Sequence, residues 1–222
     1  ALRTKRVPMD SAARWAFLKE SAVGLILLTT LYIFLTAYRD FRDNFAAEIW
    51  AAIGYQDTPE IFTLSELPIA FVVLVTLALL VKVKDNRRAM MVVHGVMMSG
   101  CALIGGSTLL FEWGYLSGAA WMITVGLGAY LAYVPYGSML FDRLLAALGA
   151  AGTAGFMIYV TDAFGYIGSI GINLYKNFGG GDISWRVFFV QLSYFTSLFC
   201  TICFIGSMIY FSKKSTSRPE RA

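Results

Sequence analysis

The sequence predicts an all-α integral membrane protein: a bundle of six transmembrane helices with both termini on the cytoplasmic side. Three observations lead there. Hydrophobic residues fill 58% of the 222 positions and charged residues only 14%, where a soluble domain carries about a quarter charged; mean hydropathy is +0.64. Uncharged runs over 21–38, 67–81, 89–111, 113–141, 144–175 (broken only by Asp162) and 187–212 each approach or exceed the ~20 residues of one bilayer crossing. The basic residues are also lopsided. Fourteen of the eighteen fall in the N-terminal segment, the loop 82–88, Arg143 and the tail, against Arg39, Arg42, Lys176 and Arg186 on the other side. A Lys/Arg excess marks the cytoplasmic side, so the net charge of +4 is a topology signal. No basic surface is left over for nucleic acid.

The elements follow in order. Residues 1–20 read as a cytoplasmic amphipathic linker, with Trp15, Phe17 and Leu18 between Arg14 and Lys19. The first apolar run is long enough to span, so no cleavable signal peptide is expected, and the opening Ala1 suits a piece of a longer chain. Spans are expected over about 21–52, 60–81, 89–111, 115–138, 152–176 and 186–211, a membrane domain of 21–211, followed by a polar tail over 212–222. Gly54 should end the first helix, and Pro68 should kink the second. The stretch 139–148 has the pattern of a short amphipathic helix at the inner surface, and Gly149 and Gly152 bracket a small-residue joint into the fifth span. Residues 179–181 form an outer turn, and Trp185 and Arg186 anchor the start of the sixth helix at the interface.

Few side chains in these spans can do chemistry. Asp162 comes first, because a carboxylate at bilayer depth costs roughly 2.5–3.5 kcal/mol at a helix centre and faces a bundle interior or a wet cavity. Helical stepping puts Gly155, Tyr159, Asp162, Tyr166, Ser169 and Asn173 on one stripe. Desolvation favours the neutral form of any carboxylate, which makes Asp162 the candidate for proton coupling; a structural hydrogen-bonded aspartate is the rival. In the first span Tyr32, Thr36, Arg39 and Asp43 share a face, so Arg39 and Asp43 can pair, and Arg39 could anchor an anion through its planar fork. Glu66, at comparable depth, could pair with Arg39. Tyr130, Tyr133 and Tyr136 line the fourth span. Gly165, Gly168 and Gly171 allow close helix approach on the fifth.

Other residues read as packing. His94 has no ligand-type neighbour at metal spacing. Cys101, Cys200 and Cys203 all lie in apolar helices, and the Cys200/Cys203 spacing lacks a nearby histidine. No nucleophile, metal or phosphate-loop motif is present, so neither an enzyme nor a cofactor or metal is expected.

The segment RTKRVPMDSAARWAFLKES followed by six spans resembles the C-terminal half of a major facilitator superfamily transporter with part of its central linker. The loop KVKDNRRAM is similar to that superfamily's charged inner loop, with Asp85, Arg87 and Arg88 at the charged positions, although it lacks the glycines. LYIFLTAYRDFRDNF resembles the arginine-bearing first helix of each half in the organophosphate–phosphate antiporter branch, which places Arg39 as the anion contact; Asp40 and Asp43 depart from that pattern. YVTDAFGYIGSIGINLYKNFG is similar to bacterial members. The resemblance implies half of a twelve-helix transporter in a bacterial inner membrane, partnered by the N-terminal six-helix half of the same protein and by the lipid bilayer. It further implies alternating access for a small, anionic solute. Spans one, two, four and five would line the cavity and three and six would pack outside. Tyr32, Arg39, Tyr133, Tyr159, Tyr166 and Asn173 are then candidate solute contacts, Asp162, Glu66 and Asp43 coupling or charge-pair residues, and Asp85, Arg87 and Arg88 a conformational loop. The competing expectation is a polytopic scaffold or sensor whose buried charges only fix helix packing.

Overall fold

A computed structural model describes residues 10–150, 154–179 and 183–216. The expectations for Arg3, Lys5, Arg6, Gly152, Gly181, Arg218 and Arg221 lie outside the described residues. The helices are α1 Ser11–Glu20, α2 Ala22–Asn44, α3 Ala46–Ala52, α4 Glu60–Val81, α5 Asn86–Glu112, α6 Gly118–Pro135, α7 Phe141–Ala147, α8 Ala154–Leu174 and α9 Trp185–Thr216. π-helical turns extend α6 over Tyr136–Leu140 and α8 over Tyr175–Gly179. Six of the described helices are long and apolar enough to cross a membrane: α2, α4, α5, α6 with its extension, α8 and α9. The protein is a helical multi-pass membrane bundle.

Several boundaries differ from expectation. The first span does not run unbroken to residue 52: it breaks at Phe45 (φ −113°, ψ 27°) before α3 resumes. Gly54, at φ +95°, then ends the segment, a left-handed backbone that favours glycine. The stretch 139–148 holds the expected short helix, α7, but it runs on from α6 rather than standing apart. Pro135 has no N–H to give, and the chain absorbs the lost bond by widening into the π turn before running on as α7. The sixth helix extends to Thr216, five residues into the expected tail.

Packing follows an arc in which α8 lies against α2, α2 against α9, α9 against α5, α5 against α6 and α6 against α4. α2 and α6 also meet directly and close the centre. Exchanging α2, α4 and α5 for α6, α8 and α9 leaves this pattern of neighbours unchanged. Within each triplet consecutive spans barely touch: α4 meets α5 only marginally, and α8 has no substantial contact with α9 among the described residues. Three crossings invert the second triplet relative to the first, so this is the interleaved arrangement of an inverted repeat. It is invisible in residue identity because it lives in the neighbour pattern.

Two apolar cores hold the arc. One, towards the end with the chain termini, gathers Leu28, Leu31, Met97, Phe141 and Phe204. The other, towards the opposite end, centres on Phe41, Ile49, Trp121 and Phe189. Gly100 and Gly128 let α5 and α6 approach backbone to backbone, since a Cβ on either would lie 2.5–2.6 Å from the other's carbonyl oxygen. α4 is held by a small cluster of Ile69, Val73 and Leu131. Only 22% of its apolar window is buried, as in α8, against 44–50% in the other four spans. The two flanks of the arc are its least covered members.

Polar ties fix both ends. Tyr210 donates to the Glu20 carbonyl at 3.0 Å, and Lys214 bonds that carbonyl and Ser21 Oγ. Arg87 donates to Thr216 Oγ1 at 2.5 Å, so the starts of α2 and α5 and the end of α9 share one end. At the other end Arg186 pairs with Glu112 at 2.9 Å.

Candidate functional site

The centre of the site is built on α2, α6 and α8. Tyr32 lies ten residues into α2, ~15 Å along its axis and so near the middle of a ~30 Å hydrocarbon core. Its side chain is buried and its ring stacks on Tyr133 and Tyr136, with centroids 5.3 and 4.2 Å away. The Tyr32 hydroxyl donates to Asp162 Oδ1 at 2.6 Å and lies 2.9 Å from the Tyr133 hydroxyl. Tyr136 is occupied elsewhere, donating to the Leu28 carbonyl at 3.0 Å.

Asp162 reaches Tyr32 because α8 is seated closely on α2. A Cβ at Gly165 would lie 2.8 Å from Thr36 Oγ1 and 3.1 Å from Tyr32 Cε1, and one at Gly168 would lie 2.9 Å from the Ile33 carbonyl oxygen. These two glycines of the expected small-residue stripe do bring the helices together. Gly171 meets nothing.

The polar stripe itself is rotated from its expected position. The buried face of α8 runs through Ala154, Met157, Thr161, Gly165 and Ser169, with Asp162 at its edge. Tyr159 and Tyr166 are 78% and 59% exposed on the open side and make no hydrogen bond among the described residues. Asn173 is half-buried, and its Oδ1 has no partner among them.

The arginines divide differently from expectation. Arg39 does not pair with Asp43 or Glu66. It bonds the neighbouring Asp40 through Nε (2.9 Å) and Nη2, and its guanidinium lies over the Tyr133 ring, 3.9 Å from the centroid. Arg42, only 3% exposed, takes the interhelical role: its Nη2 pairs with Glu66 at 2.7 Å and its Nη1 with Asp43 at 3.1 Å. Nη2 also reaches the Met122 carbonyl at 3.3 Å, and Tyr130 donates to Asp43 Oδ2 at 3.0 Å. Gly126 makes the room, since a Cβ there would lie 2.7 Å from Arg42 Cζ. A cavity of about 240 Å³ opens beside this cluster, walled by Trp50, Phe62 and Tyr130.

Because α2 and α6 run antiparallel, the two charged levels form one ladder: Arg42 beside Tyr130, Arg39 over Tyr133, Tyr32 on Tyr136. The three-residue spacing of the arginines matches that of the tyrosines. Arg39 and Arg42, three residues apart, lie on neighbouring parts of one helix face, and periodicity does not say which of them is the more buried; Gly126, one turn from Tyr130, was the local signal for Arg42.

The predicted loop residues and the single histidine lie away from both clusters. Asp85 caps α5, accepting from the Arg88 backbone N–H at 2.6 Å; Arg87 ties to Thr216, and the Arg88 side chain is exposed. His94 is fully buried between the Met90 carbonyl (Nδ1, 2.9 Å) and Ser207 Oγ (Nε2, 3.2 Å). The three cysteines are buried and free. Among the described residues no group of three His, Cys, Asp or Glu is placed to hold a metal.

A family profile matches residues 1–214 of the chain. The chain belongs to the family of unknown function DUF5690. Every residue of both clusters lies within the DUF5690 match, which reaches from before α1 into the last turn of α9. No curated protein and no solved structure matches the chain significantly.

Proposed function

We propose that this bundle is the C-terminal half of a secondary active transporter of the major facilitator type. It moves a small solute by alternating access against an N-terminal six-helix half and converts nothing. The observation that supports this reading is the mid-depth chain Asp162–Tyr32–Tyr133 with Arg39 over its end. It lies on the central helices α2 and α6, flanked by the two least covered spans. A buried polar track at that depth has a cost that a purely structural bundle has no reason to bear. The flanks α4 and α8 are where the other half would close the cavity, with both termini on the cytoplasmic side of a bacterial inner membrane.

Arg39 is the proposed anion anchor. Its present partner Asp40 is adjacent in sequence and both are partly exposed, at 19% and 17%. A solute carboxylate or phosphate could therefore displace Asp40 from the fork without breaking an interhelical tie. Asp162 is the proposed proton site. In proteoliposomes of the full-length protein with an imposed proton gradient, Asp162→Asn should abolish gradient-driven accumulation while sparing exchange. Unchanged accumulation would refute the coupling role. A thermal-shift screen against phosphorylated and carboxylated metabolites tests the anion: a shift lost in Arg39→Ala supports it, and no shift in the wild type removes it.

A scaffold reading is favoured by one observation, the pairing of both terminal nitrogens of Arg42 with Glu66 and Asp43. On that reading substitutions at Arg39, Glu66 and Asp162 would lower stability together and alter no flux.

A further inference from the structure

We infer that Tyr32 and Tyr133 form a reversible hydrogen-bond relay whose direction is set by protonation of Asp162, so that a proton on Asp162 turns the Tyr133 hydroxyl outward as a donor to the solute. This deepens the transport reading and rests on it for the solute, though not for the relay itself.

The count of protons fixes the direction of each bond. Each tyrosine hydroxyl has one proton to donate and two lone pairs to accept with, and an ionised carboxylate can only accept. With Asp162 ionised, the single Tyr32 proton must go to Oδ1, across 2.6 Å. The 2.9 Å contact between the two hydroxyls then takes its proton from Tyr133. Tyr133 is thereby spent: its O–H points inward and only lone pairs remain for anything else. When Asp162 takes up a proton, its new O–H can donate to the Tyr32 oxygen. The Tyr32 proton rotates towards Tyr133, and the Tyr133 O–H is released from the chain. No tyrosine O–H bond breaks. One proton enters at the carboxylate, and two hydroxyls turn.

The surroundings favour this over other arrangements. Tyr32 is 3% exposed, and among the described residues its hydroxyl bonds only Asp162 and Tyr133. Tyr136 stacks on the same ring but is committed to the Leu28 carbonyl, so the chain has one exit. Tyr133 is only partly buried, and the Arg39 cation over its ring draws electron density from the phenol and strengthens its O–H as a donor. The charged and titratable groups around the relay are the Arg39–Asp40 pair and Tyr32 on α2, with Tyr133 and Tyr136 on α6 and its π turn. On α7, which also packs against α8, Asp142 and Arg143 sit at the end of the bundle that holds Asn86, which Arg143 bonds at 3.0 Å. A freed Tyr133 O–H beside Arg39 presents two donors to one oxygen-bearing solute. Proton and solute then bind in the same direction: each favours the other.

The test needs no flux. Infrared difference spectra of the full-length protein in detergent, taken between high and low pH with ring-labelled tyrosine, should show a carboxylic C=O band that Asp162→Asn removes. A tyrosine C–O band should change with it, and Tyr133→Phe should remove that second band. In Tyr32→Phe the carboxyl band should persist while the Tyr133 band no longer follows it. The relay is overturned if no Asp162 band forms over the pH range where the protein stays folded, if the Tyr133 band stays fixed while the carboxyl titrates, or if it still follows in Tyr32→Phe. A protein with linked bands and no transport keeps the relay and loses the transporter reading. Transport without linked bands does the reverse.

Discussion

The two polar levels of the α2–α6 seam use the same residue types to opposite effect. At the outer level Arg42 is locked: 3% exposed, bonded to Glu66 on α4, to Asp43 and to the Met122 carbonyl, and seated in a hollow kept open by Gly126. At the middle level nothing is charge-paired across helices. Arg39 is matched by its own neighbour, and α2, α6 and α8 are joined by neutral hydroxyls and one carboxylate oxygen. An ion pair held by a buried guanidinium is costly to open, whereas hydroxyl bonds rearrange by rotation. The outer level ties α4 to α2 through charge, and the middle level holds α8 to α2 and α6 through bonds that can rotate.

The largest effect should come from breaking the lock. Arg42→Met leaves Glu66 and Asp43 facing each other without a counter-charge and should lower stability by about 2–4 kcal/mol, read by chemical or thermal unfolding in detergent. Adding Glu66→Gln should restore part of that loss. A single-site loss below the uncertainty of the assay would mean that the pair holds nothing. Gly126→Ala attacks the same lock from behind, since its Cβ would lie 2.7 Å from both Arg42 Cζ and Ile69 Cδ1; overpacking of this kind costs about 1–3 kcal/mol. If Gly126→Ala is neutral, the guanidinium has room to spare and the outer level is looser than its geometry implies.

The middle level should respond in function more than in stability. Tyr32→Phe keeps the stacked ring and removes one hydroxyl, so its stability cost should be about 1 kcal/mol. Its effect on proton-driven accumulation should approach that of Asp162→Asn. A stability loss as large as that of Arg42→Met, with flux unchanged, would erase the distinction between the two levels.

What the sequence made legible follows from what hydropathy and periodicity measure. Transmembrane helices must satisfy their backbone internally, so long apolar runs translate directly into spans, and all six were visible. Endpoints were less so. The break at Phe45 has no glycine or proline to announce it, and the passage through Pro135 depends on a π turn that periodicity cannot show. Asp162, Tyr32 and Tyr133 could be singled out from the sequence as polar groups at bilayer depth, and the structure brings the three together. Their partners could not be singled out. A helical stripe fixes which residues share a face but not how the helix is rotated against its neighbour, and an error of one residue position, about 100°, separates the open Tyr166 from the buried Gly165. The same uncertainty exchanged Arg39 for Arg42 as the partner of Glu66. The interleaved repeat could not be demonstrated from residue identity, since it is a property of which helices touch.

The smallest effect is the most discriminating, because it separates ring from hydroxyl at Tyr133. Arg39 lies over the ring, 3.9 Å from its centroid, and its guanidinium bonds Asp40. A double-mutant cycle between Arg39→Ala and Tyr133→Leu should therefore give a coupling energy of about 0.5–1 kcal/mol, the scale of a partly exposed cation–π contact. The parallel cycle with Tyr133→Phe should give almost none, because phenylalanine keeps the π face. Both cycles are read from unfolding of the full-length protein in the same detergent. Equal coupling in the two would show that Arg39 acts through the hydroxyl. The cation would then be part of the hydrogen-bond chain, and the middle level would be bound by charge in the same manner as the outer one.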